Sequence, residues 1–83
     1  ISFAPYPNPT EEIVNINGSG FDAHLPISID LFDITGKAVF SRTFIPFDDA
    51  SGWAFNVSGW ASGLYQIVGT QGKQQAAGRF LVH

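Results

Sequence analysis

Hydrophobic and polar residues alternate along this chain in short bursts instead of recurring every third or fourth position. Ile27, Ile29 and Leu31 fall on one side of an extended run, while Ser28 and Asp30 fall on the other. This is the period-2 pattern of a strand with one buried and one wet face. Similar runs rich in Val, Ile, Phe and Tyr are separated by Gly, Pro, Asn, Asp or Ser clusters. They predict strands at 12–17, 27–33, 38–45, 53–57, 64–70 and 74–82, with residues 2–5 as a seventh. No window keeps helical periodicity for three turns, and the 9 Gly and 5 Pro would interrupt most helices. An all-β sandwich is the expected fold class.

Turn chemistry fixes how some of these strands connect. In Asp33-Ile34-Thr35-Gly36 the Asp can accept backbone N–H bonds and the Gly tolerates positive φ, so strands 27–33 and 38–45 should form a hairpin. Thr70-Gln71-Gly72-Lys73 predicts a second hairpin, with Gly72 in the left-handed conformation and 64–70 paired to 74–82. Residues 17–20 and 47–52 read as exposed loops. Pro7-Asn8-Pro9 holds two φ angles near about −65° and removes two backbone donors, which suits a stiff, extended entry to the first interior strand. Gly63 should permit a bend or a close backbone approach. Tyr65 shares a face with Ile67, which directs its ring to the core and its hydroxyl to a partner or to water.

Composition narrows the function. At 83 residues the chain is one domain, 1–83, and with no Cys its 45% hydrophobic and 14% aromatic content must build the core without disulfides or thiolate-bound zinc. The net charge is −3, and the basic residues Lys37, Arg42, Lys73 and Arg79 are scattered. That argues against nucleic acid and anionic membrane as partners. Apolar stretches are too short to span a bilayer. The start, Ile1-Ser2-Phe3-Ala4, is not a translation start, so a piece of a longer protein is expected, with any export signal elsewhere.

Candidate chemistry is sparse. His24 and His83 are the only imidazoles and no Ser stands in a nucleophile-elbow context, so no catalytic site is expected. Asp48 with Asp49, or Asp30 with Asp33, could meet calcium, but neither pair has the regular spacing of oxygen ligands; neither metal nor cofactor is expected. The two Asn-x-Ser sequons, at Asn17 and Asn56, are within chance for this composition. Trp53 and Trp60 raise a rival reading, a carbohydrate-binding or spacer module of a secreted enzyme. Against it, Trp53 runs on one face with Phe55 and Val57, a pattern of burial.

Four elements in order carry a more specific signal: Pro7-Asn8-Pro9, Asp33-Ile34-Thr35-Gly36-Lys37, Gly63-Leu64-Tyr65 and Gly78-Arg79-Phe80-Leu81-Val82. Each alone is common in β-proteins. In this order and spacing, from about Tyr6 to Val82, they resemble the type A C-terminal sorting domain of proteins exported by the type IX secretion system of Bacteroidetes-type bacteria. The resemblance marks Pro7, Asn8, Pro9, Asp33, Gly36, Lys37, Gly63, Tyr65, Arg79, Phe80 and Val82 as family motif or recognition positions. His83 departs from it, since the family often ends in Lys.

The resemblance implies a single antiparallel, immunoglobulin-like β-sandwich of about seven strands serving as an address label. A parent protein carrying it as cargo would reach the periplasm by its own signal. It would be recognised by the type IX translocon and associated shuttle proteins, cross the outer membrane, and lose the domain to a surface sortase that can join the cargo to lipopolysaccharide. The chain would then be a sortase substrate and not an enzyme. The family's extreme C-terminus carries much of the export information. Here Phe80 and Val82 alternate with Arg79 and Leu81, as in a strand that could be handed to a receptor. An adhesin-type immunoglobulin-like repeat is a further alternative, though a mid-protein repeat would not need a terminal signature.

Overall fold

The computed structural model describes residues 2–6 and 12–83. Among them seven strands follow one another: β1 (Ser2–Tyr6), β2 (Ile13–Ser19), β3 (Ile27–Phe32), β4 (Ala38–Phe44), β5 (Ala54–Asn56), β6 (Gly63–Gln71) and β7 (Gln74–Val82). They divide into two antiparallel sheets, β1-β2-β5 and β4-β3-β6-β7, that form a sandwich. The alternation in the sequence decides which faces meet. Ile27, Ile29 and Leu31 of β3, Tyr65 and Ile67 of β6, and Phe80 and Val82 of β7 are buried on the inner face of the larger sheet; Phe3, Val14, Ile16 and Phe55 are buried opposite them. These positions supply the apolar burial that stabilises a domain without disulfides.

Both expected hairpins form. β3 and β4 join through the Asp33 turn, and β6 and β7 pair without interruption from Gly63↔Val82 to Gln71↔Gln74, with Gly72 at φ 59° opening the two-residue loop. Only the first loop residue has positive φ, as a type II′ turn requires. The seventh strand at the N-terminus is present as β1.

Two expectations need correction. Residues 17–19 belong to β2 and are not a loop, because β1 pairs alongside from Tyr6↔Asn15 to Ser2↔Ser19 and supplies the ladder that small polar residues alone would not predict. The run 53–57 shortens to 54–56, because a single 3-10 turn, Ala50–Trp53, replaces its start. Trp53 lies in that turn, just before the strand that holds Phe55, and still packs on the core as its pattern implies. Its half-buried ring packs against Phe3, Phe21 and Phe44, with centroids 5.8, 5.1 and 4.9 Å away.

Two side chains hold the sheets in place. Arg42 sits between Phe40 and Phe44 on the inward side of β4. Its Nη1 donates to the carbonyls of Ala54 (2.9 Å) and Gly52 (3.3 Å), and its guanidinium lies over the Phe55 ring at 4.6 Å. One cation thereby ties the edge of the larger sheet to the edge of the smaller. On the other side the sheets come close where β6 has no side chain: a Cβ on Gly69 would overlap the Phe3 ring.

At about 3.3 Å per residue the nine-residue strands β6 and β7 are about 30 Å long, so they run along the 34 Å dimension of the 34 × 22 × 16 Å molecule. The sandwich therefore has two distinct ends. The turn end carries the Asp33 turn, the start of β6 and the finish of β7. The latch end carries the β2–β3 loop and Gln71, and it is also where Ser2 enters, its Oγ 3.1 Å from Ser19 Oγ.

Candidate functional site

Three of the four ordered elements, separated by tens of residues in sequence, are neighbours at the turn end. Phe32, the last residue of β3, pairs with Gln66, which pairs with Arg79; Tyr65 pairs with Phe80 and Gly63 with Val82. Pro7, Asn8 and Pro9 lie outside the described residues.

Each element contributes differently to this surface. The turn is built by the Asp33 carboxylate: Oδ1 accepts from Thr35 Oγ1 (2.6 Å), Thr35 N (2.9 Å) and Lys37 N (3.1 Å). The Thr35 hydroxyl is the leading cause of a pKa held below 3.8, joined by the Lys37 and Thr35 backbone N–H groups and the Lys37 charge, and opposed by partial desolvation. Gly36 closes the turn at φ 87°, with its N–H on the Asp33 carbonyl (3.0 Å). Beyond it, β4 carries one extra residue, Val39, because Leu31 pairs with Phe40 and Phe32 with Ala38. Such bulges bend an edge strand locally.

Gly63 sits at φ 150° with nothing within 4 Å of where a Cβ would stand. It therefore makes no close backbone approach, and its positive φ is what favours glycine there. Tyr65 is buried, its ring 5.7 Å from Phe80 and 5.2 Å from Trp60, and its hydroxyl donates to the Ala61 carbonyl at 2.7 Å. That bond fastens the 57–62 loop to the sheet. Phe80 and Val82 point into the core, whereas Arg79 and Leu81 point out.

The outward residues make a mixed surface. Asp33, Ile34, Gly36, Leu64, Tyr65, Gln66 and Arg79 line an open depression of about 260 Å³. Ile34 is 80% exposed on its rim, and the cross-strand pair Leu64 and Leu81 is 38% and 42% exposed beside it. A rigid turn, a short apolar strip and a cation thus meet on one face. This arrangement suits recognition by another polypeptide. Among the described residues no three His, Cys, Asp or Glu side chains cluster as metal ligands. No described helix is long and apolar enough to cross a membrane. Trp60 is half-buried on Tyr65 as Trp53 is among its Phe neighbours, so neither ring lies open as a sugar platform.

The family model for the secretion system C-terminal sorting domain matches residues 4–83. The chain belongs to that family. It is a type IX secretion sorting signal, which implies interaction with the type IX machinery, a parent cargo protein, and passage of that cargo through the outer membrane to the surface or beyond. The family is not an enzyme family. No curated protein matches the chain at a significant level.

Two features of the sorting domain escaped sequence reasoning. Gln71 is buried at 7% exposure; its Oε1 accepts from Asp22 N (2.8 Å) and its Nε2 donates to the carbonyls of Asp22 (2.7 Å) and Leu25 (3.2 Å). A signal existed in the inward series Tyr65, Ile67, Gly69, Gln71, where a polar side chain closes an apolar face. The Arg42 tie had a weaker one, a cation between two Phe residues on the same strand face.

Proposed function

We propose that the turn end is the surface the secretion machinery reads, and that a surface sortase afterwards removes the domain and can transfer the cargo to lipopolysaccharide. On this reading residues 1–83 act as one domain, a sortase substrate and not a catalyst. Asp33, Gly36, Gly63, Tyr65, Phe80 and Val82 shape the surface, while Lys37 and Arg79 meet the translocon or its shuttle proteins. Pro7, Asn8 and Pro9 mark the start of the signal. The observation that carries this reading is the convergence of three sequence-distant elements on one exposed face. Cores need no such convergence of outward residues.

The test is a fusion of a signal peptide, a fluorescent reporter and residues 1–83 in a host with the type IX system. Reporter should appear outside the cell without the domain attached. Retention of an intact, folded fusion in the periplasm would overturn the export role, and export with the domain still attached would overturn the sortase step alone. Deleting 79–83 is a poor probe, because it withdraws Phe80 and Val82 from the core and confuses recognition with folding.

A further inference from the structure

Among the described residues the Arg79 side chain makes no hydrogen bond or ion pair. Asp33, which shares the depression with it, directs Oδ1 to Thr35 and Lys37, and no ion pair to Arg79 forms among the described residues. The side chain of Gln66, directly across the ladder on the same outward face, is likewise without a hydrogen-bond partner there. A guanidinium and a primary amide side by side offer several N–H donors to one planar anion. Two residues further along each strand, on the same face, lie Leu64 and Leu81, and Ile34 stands over the rim. Charge is also unevenly distributed among the described residues: at the turn end Lys37 and Arg79 balance Asp33 and Glu12, whereas in the loops of the latch end Asp22, Asp48 and Asp49 outnumber Lys73.

We infer that the Arg79–Gln66 pair is a carboxylate-binding spot, and that its occupant is an acidic side chain in an extended, apolar-flanked segment of the machinery. The inference rests on the recognition role proposed above and adds the chemistry of the partner. The carboxylate accepts from the guanidinium and the Gln66 amide, and alkyl side chains two residues away in an extended segment cover Leu64, Leu81 and Ile34. The net negative charge of the whole chain repels such a segment elsewhere, so this spot also selects the orientation of approach.

The probe is a blocked pentapeptide of alternating leucine and glutamate, titrated into residues 1–83 by two-dimensional NMR beside its glutamine twin and inorganic phosphate. The glutamate peptide should shift the amides of Ile34, Leu64, Gln66 and Arg79, the glutamine twin should not, and Arg79→Gln should weaken binding about tenfold while Lys73→Gln, at the latch end, leaves it unchanged. Equal binding of the two peptides, no binding at millimolar concentration, or phosphate binding as tight as the glutamate peptide would each overturn the inference. In the export assay Arg79→Glu should strongly reduce secretion and Lys73→Glu should not; export of a folded Arg79→Glu fusion at the wild-type level overturns the inference. Failure of the wild-type fusion to leave the periplasm instead counts against the sorting role, and the titration still decides the binding chemistry.

Discussion

The two ends of the sandwich use the same bond, a side-chain amide or carboxylate holding loop backbone, over very different distances in sequence. At the turn end Asp33 reaches residues two and four positions away. At the latch end Gln71 reaches Asp22, 49 positions away. The first arrangement forms with its own hairpin and is indifferent to the rest of the fold; the second exists only after β6 has docked beside β3. The turn end is therefore locally rigid and free to vary in what it displays, while the latch end carries a share of global stability.

This contrast can be broken most directly at Gln71. Gln71→Leu keeps the volume but leaves the Asp22 N–H and the Leu25 carbonyl without their partner, the Asp22 carbonyl keeping the Leu25 N–H, so unfolding in denaturant should show a loss of about 2 to 3 kcal/mol. A loss below about 1 kcal/mol would mean that water satisfies the loop and the latch is decorative. Gly63→Val tests the turn end. Its φ of 150° is one that L side chains rarely adopt, and the strain should lower stability by about 1 to 2 kcal/mol with the denaturant slope unchanged. Asp33→Asn is the smallest change. Because its folded pKa is lowered, the Asp33 contribution is present above 3.8 and fades as pH falls through the folded value. The wild type and Asp33→Asn should thus differ slightly at neutral pH and converge in acid, as followed by thermal melts across a pH series.

The same difference in range explains what the sequence disclosed. The Asp33 turn, the Gly72 hairpin and the inward alternation of β3, β6 and β7 depend on neighbours within a few positions, and each is visible as turn chemistry or period 2. Which strands share a sheet depends on pairings such as β1 with β2, and residues 17–19 look like a loop in sequence because their partner strand begins as far away as Ser2. Trp53 was displaced from β5 by a 3-10 turn, where it found Phe3, Phe21 and Phe44. Of the motif positions, the ordered pattern points to Asp33, Tyr65 and Arg79, but not to their meeting around one depression. That meeting requires the register Phe32↔Gln66↔Arg79, a property of the assembled sheet.

The entry of Ser2 at the latch end, opposite the Asp33 turn, has a mechanical consequence for a tag that travels with cargo. If the machinery grips the turn end while the cargo tugs on Ser2, the line of force runs parallel to the strands along the 34 Å axis. β1 is then loaded in shear, with the hydrogen bonds from Ser2↔Ser19 to Tyr6↔Asn15 sharing the tension at once instead of opening one after another. Phe3, wedged over Gly69, acts as a detent against slippage. A tag built this way keeps its grip during transport, when a peeling geometry would let the strand tear free under a much weaker pull.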